Sequence, residues 1–311
     1  TRAGTHYADL TGEPQFVREM IDLHHANAQK TGAKIVHCCG FDSIPSDLGV
    51  LMMQEHARKK FGRPLDSIRF YVRKLSGGIS GGTIASALLL AEEMGKDPTL
   101  RKRVANPYLL DPDREGRGPD SNDQMAVKWD ADANAWTGPF VMAAINTRIV
   151  RRSNALQGYA YGKDFRYSEV MSFKPGVQGA VMATSFTAGL GAFFLSAASS
   201  PGRALLRKVL PASGEGPSEE SRKHGHFHIQ LIGHGSDAQG HPVRLVGNVR
   251  GVNDPGYGET SKMLGETAIA LADPKAPNGG GVLTPASTPG LGITLIERLR
   301  RAGMTFEVEG A

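Results

Sequence analysis

Residues 37–49 read His-Cys-Cys-Gly-Phe-Asp-Ser-Ile-Pro-Ser-Asp-Leu-Gly and hold the densest set of reactive side chains in the sequence. The apolar run 35–39 breaks at Gly40 into a short polar loop, which feeds a helical pattern from Pro45. A buried strand that ends in a Gly/Asp/Ser turn and opens a helix is the ligand-facing edge of an open α/β sheet. Cys39 sits at that edge with His37 two residues away on the same strand face, so a base-assisted thiolate is one reading. A plain core cysteine is the other. The turn Ser80-Gly81-Gly82-Thr83 precedes a helical stretch and can offer bare amides to a carboxylate, a thioester carbonyl or a phosphate of a substrate. The alternative there is a tight turn that lets a helix pack on a strand. No G-x-G-x-x-G follows a strand, and no G-x-x-x-x-G-K-[ST] occurs. His226 and His228 share a strand face but have no Cys or carboxylate at ligand spacing, so no metal site is expected.

With 311 residues the chain can bury a large core, and two domains are expected. A hydrophobic content of 40% and a charged content of 22% are those of a soluble globular protein. The net charge of +5 is spread in short clusters without interleaved aromatics, which argues against nucleic acid and suits phosphorylated cofactors, acidic carrier proteins or anionic lipid heads. Cys38 and Cys39 are adjacent and point to opposite faces, so no disulfide is expected and a reducing, cytoplasmic setting is. No charged n-region with an apolar run marks a secretory signal, and the start at Thr1 reads as a point inside a domain.

The elements that must position these groups follow from local signals. Gly4–Asp9 reads as a strand end and its turn, 13–30 as a helix with Pro14 in its first turn, 34–39 as a strand and 45–60 as an amphipathic helix. That strand–helix order is the rhythm of a doubly wound parallel sheet. After Gly62 the alternation stops: strands are expected over 67–75, 127–129, 165–173 and 304–309, and a hairpin over 226–233 and 243–251. Helices are expected over 83–94, 140–156, 258–272 and 291–301, with a surface linker over 214–223. The segment from Pro175 to Pro201 carries no charged residue. It is long enough to span a bilayer, but its glycines and hydroxyls dilute it, so a buried helix or helix pair is the first expectation and membrane contact the second.

The runs Gly4-Thr-His-Tyr-Ala-Asp-Leu-Thr-Gly-Glu13 and Gly40-Phe-Asp-Ser-Ile-Pro-Ser-Asp-Leu-Gly49, with Gly77–Thr83 and Gly280–Ala286, resemble the saccharopine dehydrogenase-like oxidoreductases, closest to the actinobacterial trans-acting enoyl reductases. The resemblance implies a Rossmann-type domain joined to an α+β domain with a mixed or antiparallel sheet, NADPH or NADH as cofactor, and a homodimer. It further implies that the chain begins partway into that plan, without the dinucleotide fingerprint half. Residues 1–62 would be the Rossmann remnant, 63–272 the substrate and dimerisation domain, and 273–311 a helix and strand returning to the first part. Gly4, Asp9, Gly40, Phe41, Asp42 and Ser43 would then lie at the cofactor: Gly40 lets the nicotinamide approach, Phe41 packs on its ring, and Asp42 and Ser43 bond the ribose or carboxamide. A structural reading stays open, in which Asp42 or Ser43 caps a helix and Asp9 and Glu13 serve a capped turn. His6 and Tyr7 are the nearest proton donors. The substrate would be a carrier-bound unsaturated acyl thioester, with an amino-acid imine or a non-enzymatic lipid-associated role as the alternatives, and 175–201 would be a lipid-facing wall.

Overall fold

A computed structural model describes residues 1–78, 81–112, 118–211 and 215–310. Strands β1 (Tyr7–Ala8) and β2 (Lys34–Val36) flank helix α1 (Pro14–Thr31), and α2 (Ile44–Phe61) follows. β3 (Ser67–Ser76) leads through α3 (Gly81–Lys96) and α4 (Pro98–Val104) to the short strands β4 (Lys128–Asp130) and β5 (Ala135–Gly138). Next come α5 (Ala143–Leu156), β6 (Arg166–Phe173), and the helices α6 (Val177–Ala198), α7 (Ser200–Val209) and α8 (Glu219–His224). β7 (His226–Ser236) and β8 (Pro242–Gly251) form a hairpin. A π-helical turn, Pro255–Glu259, runs into α9 (Thr260–Leu271), then β9 (Gly281–Leu283), α10 (Ile293–Arg301) and β10 (Thr305–Val308).

These elements make two sheets. The smaller is wholly parallel, in the order β1-β2-β9, with Tyr7 opposite Ile35 and Lys34 opposite Gly281. The larger runs β10-β8-β7-β3-β6-β5-β4; β3 and β6 are parallel and the other neighbours antiparallel. The molecule is therefore α/β with one parallel and one mixed sheet.

Helix α2 holds the two sheets together. Pro45 opens it, and Gly62 closes it in a left-handed conformation (φ 72°) whose N–H bonds the Arg58 carbonyl at 3.0 Å. The expected helix is there, but it is not amphipathic in its first half: every residue from Ile44 to Gln54 is buried. Gly49 permits this, because a side chain there would meet Leu231 at 3.2 Å. Leu48, Leu51 and Met53 join Phe70, Phe227, Leu231 and Val249 of the large sheet in the main core. A second core, with Val17, Ile21, Ile35, Ile149 and Val282, packs α1 and α5 on the parallel strands.

Three arginines on α5 fix the segment that follows α4. Arg148 pairs with Asp123 and also donates to the Val104 carbonyl. Arg151 bonds Asp120 at 2.7 Å and the carbonyls of Pro107 and Tyr167 at 2.9 and 3.1 Å. Arg152 is buried and donates to the carbonyls of Leu110 and Val282 at 2.7 and 2.6 Å. Burial pushes its guanidinium down to about 10.

Several expectations need correction. The strand expected over 34–39 stops at Val36, because Cys38 turns left-handed (φ 61°). β5 and β9 were not anticipated. The expected linker 214–223 contains the short helix α8, and residues 212–214 lie outside the described residues. The uncharged segment does form a helix, but not a buried one: of α6 only Gly179, Ala183 and Ala197 are buried.

Candidate active site

The parallel strands end on one edge, and the side chains there are tied together. The Cys39 amide donates to the Asp9 carbonyl at 2.7 Å, and the Asp9 amide to the Val36 carbonyl at 3.2 Å, locking the β1 turn to the β2 turn. Asp9 Oδ2 accepts from His37 Nδ1 at 2.7 Å, while its Oδ1 accepts the amides of Thr11 and Cys38 at 3.1 and 3.3 Å. The carboxylate can only accept, so Nδ1 carries the ring proton. Burial pushes the Asp9 carboxyl up, but the bonds from His37, Thr11 and Cys38 outweigh it, and it settles below the usual carboxylate value.

His37 is 1% exposed, and its Nε2 is buried without a hydrogen-bond partner. The rings of Tyr7 and Phe16 meet the imidazole edge-on at 6.1 and 5.7 Å. Tyr7 is 49% exposed, and its phenol lies close enough to Asp9 to feel the carboxylate. Burial and the Asp9 charge raise the phenol, so it stays protonated at neutral pH. Tyr7, Asp9 and His37 thus form one group, with the phenol at the surface and the imidazole beneath it.

Beside this group Thr11 donates to Glu13, whose carboxylate also accepts the Gly12 amide at 3.1 Å. Asp42 faces the same turn and is half-buried. Burial first, and then the Glu13 and Asp9 carboxylates, push Asp42 up to about 7. Two buried carboxyls lie deeper. Asp47 accepts from Ser153 and from the Ala286 amide after β9. Glu169 accepts from Tyr167 and Asn146 at 2.7 and 2.9 Å, and Asn146 in turn accepts from Ser43. Burial pushes both carboxyls up to about 7.

Other nominated residues are placed differently. Gly40 does not leave its backbone open: a side chain there would meet Thr260 Cγ2 at 3.0 Å and Leu10 Cβ at 3.4 Å. Phe41 turns inward and stacks edge-on with Phe227 at 4.9 Å. Ser43 is buried on Asn146. Cys39 is buried, and burial pushes its thiol far above the ordinary range, so it packs rather than attacks. Gly4 makes a left-handed turn (φ 68°) ahead of β1. His6 accepts the Lys34 amide at 3.2 Å, which puts it at the amino end of the sheet, away from the carboxyl edge.

No family model matches the chain. A Mycobacterium tuberculosis protein provisionally named a trans-acting enoyl reductase is 42% identical over 318 residues, covering 98% of this chain and 74% of its own length. The trans-acting enoyl reductase of Mycobacterium ulcerans is 39% identical over 316 residues, covering 97% and 74%. That of Mycobacterium bovis strain BCG is 36% identical over 320 residues, covering 98% and 74%. The chain belongs to the trans-acting enoyl reductase family.

In this trans-acting enoyl reductase family member the start of α3 is less available than its glycines suggest. The Gly81 amide already donates to the Glu215 carbonyl at 2.9 Å, and Gly81 is buried. Gly82 and Thr83 are exposed on the first turn, while Ser80 lies outside the described residues. The arrangement that sequence reasoning missed is the bond between Asp9 and His37. The sequence set His37 beside Cys39 as a possible base, and only the parallel pairing of β1 with β2 reveals Asp9 as its partner.

Proposed function

We propose that this protein is a trans-acting enoyl reductase of the saccharopine dehydrogenase-like kind, reducing a carrier-bound α,β-unsaturated acyl thioester with NADPH or NADH. The observation that carries the site assignment is the Tyr7–Asp9–His37 group at the carboxyl edge of β1 and β2, where ligands of open α/β sheets bind. The names of relatives covering nearly the whole chain support the reaction class.

The residues present fit one end of a nicotinamide cofactor. Asp42 and Glu13 offer carboxylate oxygens for ribose hydroxyls, and the unpartnered His37 Nε2 offers a ring position for a polar ligand atom. No glycine-rich diphosphate cradle occurs in this chain. A reduced nicotinamide, when bound, supplies a hydride to the β-carbon. The Tyr7 phenol then gives its proton to the α-carbon, since an enolate carbon is far more basic than a phenolate. The phenolate regains a proton from water, which reaches the half-exposed Tyr7. Asp9 orients the phenol, and the bond from His37 draws charge from Asp9, so the phenolate does not face a bare carboxylate.

An amino-acid imine would need free cations for its carboxylates. Of the cations Arg73, Lys74 and Arg148, Arg148 is paired with Asp123 and Arg73 is held by Gln230, Ser172 and the Ala133 carbonyl, while Lys74 is exposed on β3, so the names of the relatives, not the cations, favour the thioester. The test is nicotinamide oxidation with a 2-enoyl thioester presented on a carrier. Consumption that requires the unsaturated thioester supports the reading; turnover of imines with none of enoyl thioesters refutes it.

A further inference from the structure

Helix α6 presents an apolar face that none of the described residues covers. One side packs on β5, β6, α3 and α7, with Gly179, Ala183 and Ala197 buried. Trp136 Nε1 donates to the Gly176 carbonyl at 3.1 Å, and Phe186 meets Phe173 at 5.7 Å. The opposite side shows Val177, Val181 and Leu195 at 82, 58 and 77% exposure, and Met182 is 56% exposed on the flank towards the sheet. The adjoining α7 adds Leu205 and Val209, both largely exposed. A soluble monomer rarely leaves so much aliphatic surface together.

Within this segment the charge has one sign. From Lys174 to Pro211 the chain carries Lys174, Arg203, Arg207 and Lys208, and no Asp or Glu. Arg203 turns inward to the Ala197 carbonyl and to Glu92 of α3, which also lies 4.0 Å from Arg207, while Lys174, Arg207 and Lys208 are exposed at the two ends of the apolar stretch.

We propose that the α6–α7 face docks peripherally on a bilayer rich in anionic headgroups. Helix α6 lies in the membrane plane, with Val177, Val181 and Leu195 at the acyl boundary and Lys174, Arg207 and Lys208 on lipid phosphates. An apolar helix face with a basic rim seats in this way, about 5–10 Å deep. A second copy suits the face less well. A two-fold contact sets the same patch against itself, so its positive ends meet positive ends and the segment supplies no carboxylate to offset them. Crossing the membrane is also disfavoured, because α6 would have to leave its packing on the sheet, where Ala183 is fully buried. The proposal does not depend on hydride chemistry.

Vesicle flotation of the full chain tests it, with vesicles of phosphatidylcholine alone and of phosphatidylcholine mixed equally with phosphatidylglycerol. The protein is expected to float with the mixed vesicles, about tenfold more than with phosphatidylcholine alone, and less as salt rises. The pair V181D/L195D and the triple K174E/R207E/K208E should each reduce flotation by about tenfold or more. Their thermal unfolding should match the parent, because all five side chains are exposed. Absence of flotation with either vesicle, or variants that float like the parent, would overturn the proposal. A dimer that V181D/L195D converts to monomer, with no vesicle binding by the parent, would assign the face to a second copy and equally overturn it.

Discussion

Asp9 Oδ2 stands 2.7 Å from His37 Nδ1 across two parallel strands, and Nε2 of the same ring is buried with nothing to bond. One carboxylate therefore fixes a buried imidazole and sets the electrostatics of the exposed Tyr7 phenol beside it. Strand pairing makes this possible: Tyr7 opposite Ile35 and Ala8 opposite Val36 bring the residues just past each strand to one edge.

If Tyr7 is the proton donor, Tyr7→Phe should lower the rate of enoyl thioester reduction about a hundredfold or more, with little change in cofactor affinity. His37→Gln and Asp9→Asn act through Tyr7, so they should shift the alkaline limb of the kcat profile rather than abolish turnover. Steady-state kinetics over pH checks this. A fully active Tyr7→Phe enzyme would remove the phenol from the mechanism.

Cys38 and Cys39 are both buried, and burial raises both thiols. Thiol reagents should leave the native protein unmodified and label both residues once guanidinium unfolds it. Cys39→Ala should keep its activity. Mass spectrometry of the treated native protein reads the first outcome directly.

Gly40→Ala should destabilise the fold by about 1–3 kcal/mol, because the added methyl meets Thr260 Cγ2 at 3.0 Å. Thr260→Ser should recover part of that loss. It removes the opposing methyl and keeps the hydroxyl, which accepts the Phe41 amide at 3.0 Å and donates to the Pro255 carbonyl at 2.7 Å. Denaturant unfolding of the two single variants and the double variant measures the coupling.

Asp47 and Glu169 are raised to about 7 in the folded state. An unfolded chain releases these protons near pH 4, roughly. Between about pH 4 and 7 the folded protein therefore holds protons that the unfolded chain has lost, so stability falls as pH rises and then levels off. The slope is on the order of 1 kcal/mol per pH unit for each group. Asp9 has the opposite sign: its contribution is present above its unfolded value and is lost only in stronger acid. Melting temperatures should decline from pH 5 to about 7 and level off beyond it, and Glu169→Gln should flatten the decline.

Local signals made α1 and α2 legible, since each has a proline in its first turn and a left-handed glycine at its end. The β7–β8 hairpin was legible for a similar reason, from two β-rich runs around Asp237–Gly240. β9 was not, because three residues between glycines and a proline become a strand only beside β2. At the site, Asp9 and Asp42 stood out as carboxylates at strand ends. The inward turn of Phe41 and the crowding at Gly40 did not, because Phe227 and Thr260 come from distant parts of the chain. For α6, composition gave an apolar helix but could not say which side the sheet would take.

The arginines of α5 hold the neighbouring segment largely by its main chain: the carbonyls of Val104, Pro107 and Leu110 receive Arg148, Arg151 and Arg152. A carbonyl is the same whatever side chain it carries. The path of this segment can therefore persist through extensive sequence drift among relatives, provided the three donors remain. Side chains still matter at the buried Leu109 and Leu110, at Tyr108 against Arg151, and at the carboxylates Asp120 and Asp123, but Pro107 and Val104 are gripped through their carbonyls alone by α5.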